Sequence, residues 1–308
     1  MSMIQHAAPG VTPQSGRPPE DFVAKLDHLG TLRFDGEDAE VFLQGQLSCD
    51  VAGLSLRSSS FGAYCSAKGR MLANFLLWRD ADGFAMALSR DLVTSVQKHI
   101  SRFVMRSRVK VSDASESIVL VGAAGAQAER VLAGARSDAG ASLSLRDGRV
   151  LAALSAAEAA GTLRGLELAD AGRWRWLDIR AGLPLITAAT QDQFVPQMAN
   201  LELIGGVSFE KGCYTGQEIV ARTQHLGQVK RRTFLANVGA PAQAGDALYS
   251  DGLGDRVVGT VLNAEASPEG GYDLLAVIQT ASRERSAVHL KTPDGPVLRF
   301  LTLPYAVA

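Results

Sequence analysis

From about Asp21 onward, apolar and polar positions fall into short runs that switch between a period of two and a helical period, with turn residues at the joins. Asp35 to Leu47 reads as a helix entered from a short strand, with Val41 and Phe42 as its apolar part. Phe61 to Ser66 and Met71 to Trp78 read as strands separated by Ala67-Lys68-Gly69-Arg70. Asp80-Ala81-Asp82-Gly83 marks a turn into a further strand, Phe84 to Leu88. Ser89 is placed as the N-cap of the next helix, on which Leu92, Val96, Ile100 and Phe103 form a core-facing stripe.

A second α+β stretch follows, with a strand at Ser117 to Val121 and a helix at Ala126 to Ala135. Gly122 and Gly125 lie between them, but the full G-x-G-x-x-G pattern is absent and no dinucleotide site is read there. Leu143 to Leu168 continues in strand–helix–strand style. After Arg231 the texture changes. Thr233–Val238, Val257–Asn263, Tyr272–Gln279, Ala287–Lys291 and Val297–Leu303 alternate and are broken by Pro268-Glu269-Gly270-Gly271 and Pro293-Asp294-Gly295. That is the pattern of an antiparallel sheet closing into a small barrel.

Composition sharpens this picture. Hydrophobic residues at 46% and charged residues at 20% call for a sizeable core. A formal net charge of −1 leaves no general basic excess, so no stable nucleic-acid complex is expected and any RNA contact must be local or transient. Cys49, Cys65 and Cys213 are too few and too far apart for a disulfide framework, and no Cys/His group has metal-ligand spacing, so no metal is expected. Residues 1–20 are rich in Gly, Pro, Ser and Gln and read as a flexible N-terminus without a signal-peptide run. No stretch reaches the roughly 20 apolar residues of a membrane helix. The expectation is a cytoplasmic protein without membrane contact, and nothing requires more than a monomer.

The densest polar chemistry lies between Phe194 and Arg232. Gly205, Gly206, Gly212 and Gly216 allow sharp turns and close approach of backbone to a ligand. A helix is read from Thr215 or Gly216 to about Gln224, which puts Glu218 and Arg222 on one face. Cys213 then sits just before a helix N-terminus and near Lys211. Both features favour a thiolate; the alternative is a buried small apolar side chain. Cys49 and Cys65 have no such neighbours and read as core. His225 receives no role. Lys230, Arg231 and Arg232 form a short basic run, either a solvated face or an anion contact.

Lys211-Gly212-Cys213-Tyr214-Thr215-Gly216-Gln217-Glu218 matches K-G-C-Y-x-G-Q-E, and on these residues the chain resembles the YgfZ family, relatives of the glycine-cleavage T-protein. Further landmarks agree in order: Gln44-Gly45-Gln46-Leu47, Ala67-Lys68-Gly69-Arg70, Ala181-Gly182-Leu183-Pro184, Gln193-Phe194-Val195-Pro196-Gln197, Asn200-Leu201, Gly259-Thr260-Val261 and Leu303-Pro304-Tyr305. The resemblance covers roughly residues 24 to 306.

It implies an α+β fold of three lobes around a central channel, with two interleaved α+β lobes over 21–230 and an antiparallel β-barrel over 231–308. It implies tetrahydrofolate, or a folate derivative, in the channel. The implied function is an accessory protein that supports cluster assembly or repair in iron–sulfur enzymes, including radical tRNA-modifying enzymes. Those enzymes or their assembly factors would be its partners. Cys213 is the implied reactive thiol with Lys211 beside it. The implied folate contacts are Trp174, Gln197, Asn200, Tyr214, Gln217, Glu218 and Arg222.

Trp174 either lies against folate or fills the core, and Trp176 would share its face if the segment were a strand. The other folate-facing tryptophan of the family falls at Leu29. Arg180 stands where T-proteins carry a glutamate; a guanidinium only donates, so Glu218 would have to take the pterin edge. The alternative function is a folate-dependent aminomethyl or other one-carbon transferase, or a demethylase. Ala73 and Asn74 replace two T-protein aspartates, and Asn74 is no general acid or base near neutral pH, which counts against that alternative.

Overall fold

The computed structural model describes residues 21–56, 58–135, 141–145, 147–227 and 229–307; the expected flexible N-terminus, 1–20, lies outside them. In chain order the first elements are β1 (Phe22–Lys25), β2 (Leu29–Asp35), α1 (Ala39–Gln44), β3 (Ser59–Cys65), β4 (Met71–Arg79) and β5 (Gly83–Ser89). Then come α2 (Val93–Ile100), β6 (Lys110–Asp113), β7 (Ile118–Ala124), α3 (Ala126–Gly134), β8 (Ala141–Ser144), β9 (Val150–Ser155), α4 (Ala156–Thr162) and α5 (Ala171–Arg180). After two 3-10 turns, α6 (Gln217–Leu226) leads to β10 (Arg231–Val238), β11 (Ala247–Ser250), β12 (Gly259–Ala266), β13 (Tyr272–Gln279), α7 (Thr280–Arg285), β14 (Val288–Leu290) and β15 (Arg299–Leu301).

These elements make an α+β fold with three antiparallel sheets. The first lobe has strand order β3-β4-β5-β2-β6 and the second β1-β7-β9-β8. Because β1 pairs with β7 before the chain enters β2, the two lobes interleave. The third lobe has order β14-β11-β12-β13-β10-β15 and curls into a half-barrel. Its edges are drawn together by bonds from Leu290 N–H to Pro296 O (2.9 Å) and from Leu298 N–H to Val288 O (2.8 Å).

Strand β4 shows why the sequence builds this layering. Its alternate residues Ala73, Phe75 and Leu77 enter one core while Leu76 and Trp78 enter another, so the strand is covered on both faces. The first core runs on through Phe194, Ala199 and Leu201 to Leu235, Leu262, Leu275 and Val277 of the half-barrel. A single apolar cluster therefore welds the first and third lobes through the 194–207 segment.

Several local expectations change. Val41 is 76% exposed, and Phe42 alone of that pair is buried, because only one side of the short α1 meets the sheet. Leu92, Val96 and Ile100 are buried as expected, but Phe103 is 42% exposed, since the helix tightens to a 3-10 turn after Ile100 and the stripe rotates outward. Residues 141–168 run strand, strand, helix, with no further strand among the described residues. Trp174 and Trp176 lie on α5, not on a strand. Two residues on a helix are about 200° apart, so the rings point opposite ways.

Candidate functional site

The segment 211–218 is clamped at three points. Lys211 Nζ donates to the carbonyls of Gln44 (2.7 Å), Leu47 (2.6 Å) and Cys49 (2.9 Å), the last turn of α1 and the chain just beyond it. Burial pushes this ammonium down to about 8, against the opposing pull of Cys49 and Asp50. Tyr214 is buried beside it, with Lys211 Nζ 5.2 Å from the ring centroid. Gly216 (φ +82°) presses against the turn between β3 and β4: an added Cβ would stand 2.5 Å from Ser66 O and 2.9 Å from Gly69 Cα. Only glycine combines that backbone with that approach. Between these clamps Cys213 is exposed, next to exposed Gly212. Lys211 therefore holds the loop and does not reach toward the thiol as expected. Helix α6 begins at Gln217, so Cys213 precedes its Gly216 N-cap by three residues. Cys49 and Cys65 are buried, as read, and burial pushes both thiols up to about 12.

Beneath α6 lies a buried polar floor. Gln197 lies on a 3-10 turn, Pro196–Ala199, and Asn200 caps it in a left-handed conformation (φ +57°); both are 0% exposed. Gln197 Nε2 donates to Val220 O of α6 (2.7 Å) and Asn200 Nδ2 donates to Thr233 O of β10 (2.9 Å). Their oxygens, Gln197 Oε1 and Asn200 Oδ1, are buried without a partner among the described residues, as is the Tyr214 hydroxyl. Arg232 is buried here too, donating to Gln197 O (2.8 Å) and paired with Glu202. The basic run at 230–232 is thus divided: Lys230 is exposed and Arg232 is a buried structural cation. Tyr305 closes the floor, its hydroxyl donating to Gly182 O (2.8 Å).

The remaining expected residues fall elsewhere. Trp174 is 1% exposed, with the Arg149 guanidinium 4.3 Å from its ring centroid and Gly122 backbone packed against the ring. Of its two readings the structure supports the core one, since these neighbours leave no room for a pterin against the ring. Trp176 donates Nε1–H to Asp273 of β13 (2.8 Å) and docks α5 on the half-barrel. Arg180 also reaches Asp273 (3.5 Å). Glu218 and Arg222 are exposed on α6, and no ion pair joins them. Gln217 Oε1 accepts from Tyr214 N–H (3.3 Å), a turn contact inside the loop. Asn74 is buried and fully used: Nδ2 donates to Pro184 O (2.7 Å) and Oδ1 accepts from Ile186 N–H (2.7 Å). Glu202, Thr233 and Tyr305 belong to the floor and were not legible in sequence, because they join it only through contacts 30 or more residues apart in the chain.

Two open cavities lie away from this floor, about 320 Å³ beside Phe22, Leu166 and Arg173, and about 480 Å³ beside Arg33, Asp82 and Ser117. Neither is lined by an expected site residue. Among the described residues no group of His, Cys, Asp and Glu is placed to hold a metal, and no helix is long and apolar enough to cross a membrane.

Two interleaved lobes joined to a half-barrel make the aminomethyltransferase T-protein fold. The glycine-cleavage aminomethyltransferase T of Bartonella henselae superposes with a TM-score of 0.73 at 20% identity, covering 92% of this chain and 86% of that one. No family model matches the chain. Full-length relatives do: the tRNA-modifying protein YgfZ of Escherichia coli O7:K1 is 34% identical over 303 residues, covering 92% of both chains. The same-named protein of Sodalis glossinidius is 33% identical over 304 residues, with the same coverage. The chain belongs to the YgfZ family.

Proposed function

We propose that this protein is a tetrahydrofolate-binding accessory factor for iron–sulfur enzymes, tRNA-modifying ones among them, with Cys213 as its working thiol. One observation carries the reading: an exposed thiol on a triply clamped loop stands at one end of α6, while the same helix roofs a floor of buried, unpartnered acceptors. Gln197 Oε1 and Asn200 Oδ1 are covered by α6, and would meet a ligand edge that brings N–H donors, as a pterin amino and ring N–H do, once that helix moves aside. A buried acceptor left unpaired costs about 1–3 kcal/mol, so pairing it is a driving force for binding. Gln217, Glu218 and Arg222 lie on α6, and exposed Arg222, with no ion pair among the described residues, would meet a glutamate tail. Tetrahydrofolate, when bound, supplies a carrier for a one-carbon unit. The chain's own residues orient it and exclude water.

An aminomethyl-transfer role has less support. Asn74 spends both ends of its amide on the 184–186 backbone and has no proton to give. The thiol is exposed while Asn74 is buried, which suits a docking or redox task with a partner better than chemistry on a substrate amine.

Equilibrium dialysis with tetrahydrofolate tests the first half. Saturable binding below millimolar ligand, weakened about tenfold in Gln197→Leu, is expected from loss of one buried hydrogen bond. Equal binding by both proteins would sink the floor as the folate site. For the second half, Cys213→Ser is expected to keep folate binding and thermal stability while losing the ability to restore tRNA thiomethylation to cells lacking the protein. Full restoration would remove the thiol from the function.

A further inference from the structure

Between Asp91 and Asp113 the chain carries no carboxylate, yet it holds Lys98, Arg102, Arg106, Arg108 and Lys110. All five are exposed: Lys98 on α2, Arg102, Arg106 and Arg108 in the chain after it, and Lys110 at the start of β6. Arg108 is neutralised by Glu37 and Asp38. The other four have no ion pair among the described residues. In a protein of net charge −1 this is a local concentration of positive charge that the fold has not balanced. Apolar groups stand within it. Phe103 is 42% exposed and Met105 87% exposed, and Met105 is held outward by a left-handed backbone, φ +40°. Such a conformation is strained for a side chain of this kind, and it keeps an apolar group in water that a core-facing turn would have buried.

The patch adjoins the thiol loop. Phe103 packs on His99 (centroids 5.5 Å apart), and His99 Nδ1 lies 2.7 Å from the Tyr64 hydroxyl. Tyr64 pairs across a β-bridge with Leu47, whose carbonyl is one of the three held by Lys211. Two residues thus separate the basic patch from the clamp beneath Cys213.

We propose that the surface formed by Lys98, Arg102, Phe103, Met105, Arg106 and Lys110 binds a single-stranded segment of RNA. The cations would track phosphates, and Phe103 with Met105 would offer an apolar platform to an unstacked base. The run is basic on both sides of the neutralised Arg108, and such charge beside an exposed ring fits a polyanion with flat bases. The weak, local contact this predicts agrees with the absence of a general basic excess. The inference goes beyond the folate reading and does not depend on it.

The probe is a fluorescein-labelled 12-nucleotide oligouridylate, titrated with the full chain and followed by anisotropy, with unfractionated tRNA as competitor. Saturable micromolar binding at about 50 mM salt is expected, displaced by tRNA. Four phosphate contacts predict a log–log salt slope of about −3. The doubly substituted Arg102→Ala, Arg106→Ala protein should bind at least tenfold more weakly with a slope about half as steep. Phe103→Ala should weaken binding without changing the slope. These side chains are exposed, so an unchanged melting temperature verifies the fold, and unchanged tetrahydrofolate dialysis separates this result from any failure of the folate site. Undetectable binding at about 100 µM protein, or equal binding by the double variant, overturns the proposal. Competition by polyglutamate as effective as by tRNA overturns it as well, in favour of an acidic protein segment.

Discussion

Lys211 donates three hydrogen bonds from a half-buried position, and its replacement leaves three carbonyls without that donor. Lys211→Met is therefore expected to cost about 2–3 kcal/mol, the scale of charge-assisted bonds, measured as a lower urea midpoint. A loss below about 0.5 kcal/mol would mean that the clamp is ornamental. His28 makes a second residue-scale prediction. Its Nδ1 is buried without a partner, and burial, with Arg175 nearby, holds the ring down to about 4. The unfolded ring titrates near 6.5, so between these values the unfolded chain binds more protons. Stability from the neutral ring is complete above pH 6.5 and is lost as pH falls toward 4. His28→Phe should flatten that part of the melting-temperature profile; an unchanged slope would show that the ring is protonated in the native state.

At the scale of elements, α5 is the strut between the second lobe and the half-barrel. One end is capped by Asp170, which accepts from Gly172 N–H (2.5 Å). Its outer face reaches Asp273 through Trp176 and Arg180, and Glu265 through Arg175 (2.6 Å). Asp273 is 1% exposed and also accepts from Asn237 Nδ2 (2.8 Å). Removing it strands several donors at once, so Asp273→Ala is expected to cost about 3 kcal/mol or more by calorimetry, whereas Asp273→Asn, which keeps an acceptor, should cost less. Equal losses would place the effect in packing and not in hydrogen bonding. On a strand the two rings would share a face; the helix separates them. Arg173, Trp174, Arg175 and Trp176 alternate polar and apolar as a half-buried strand does, but here two different lobes take the two rings. An alternating pattern then serves a helix pinned on opposite sides. β11 and α7 escaped notice because each is short and carries little apolar periodicity.

Across the whole molecule, the antiparallel half-barrel, the strands β3 to β5 and the glycine-bearing signature loop were legible from period and turn chemistry alone. Local rules govern them: a strand between two cores must alternate, and a chain that touches another backbone must place glycine there. The burial of Cys49 and Cys65 was read from neighbouring residues and holds in three dimensions, whereas Cys213 was left between a reactive thiol and a buried one until the fold exposed it. What tertiary structure alone decided was partnership. Lys211, read as the activator of a thiol two residues away, spends its charge on carbonyls some 160 residues distant in sequence. Arg232, read as part of a surface run, is buried against Glu202. Trp174, left between the ligand and the core, is covered by Arg149. In each case the side chain's chemistry was visible but its partner came from another lobe. Hydrogen bonds and ion pairs act over a few ångströms of space, and distance along the chain does not report that separation.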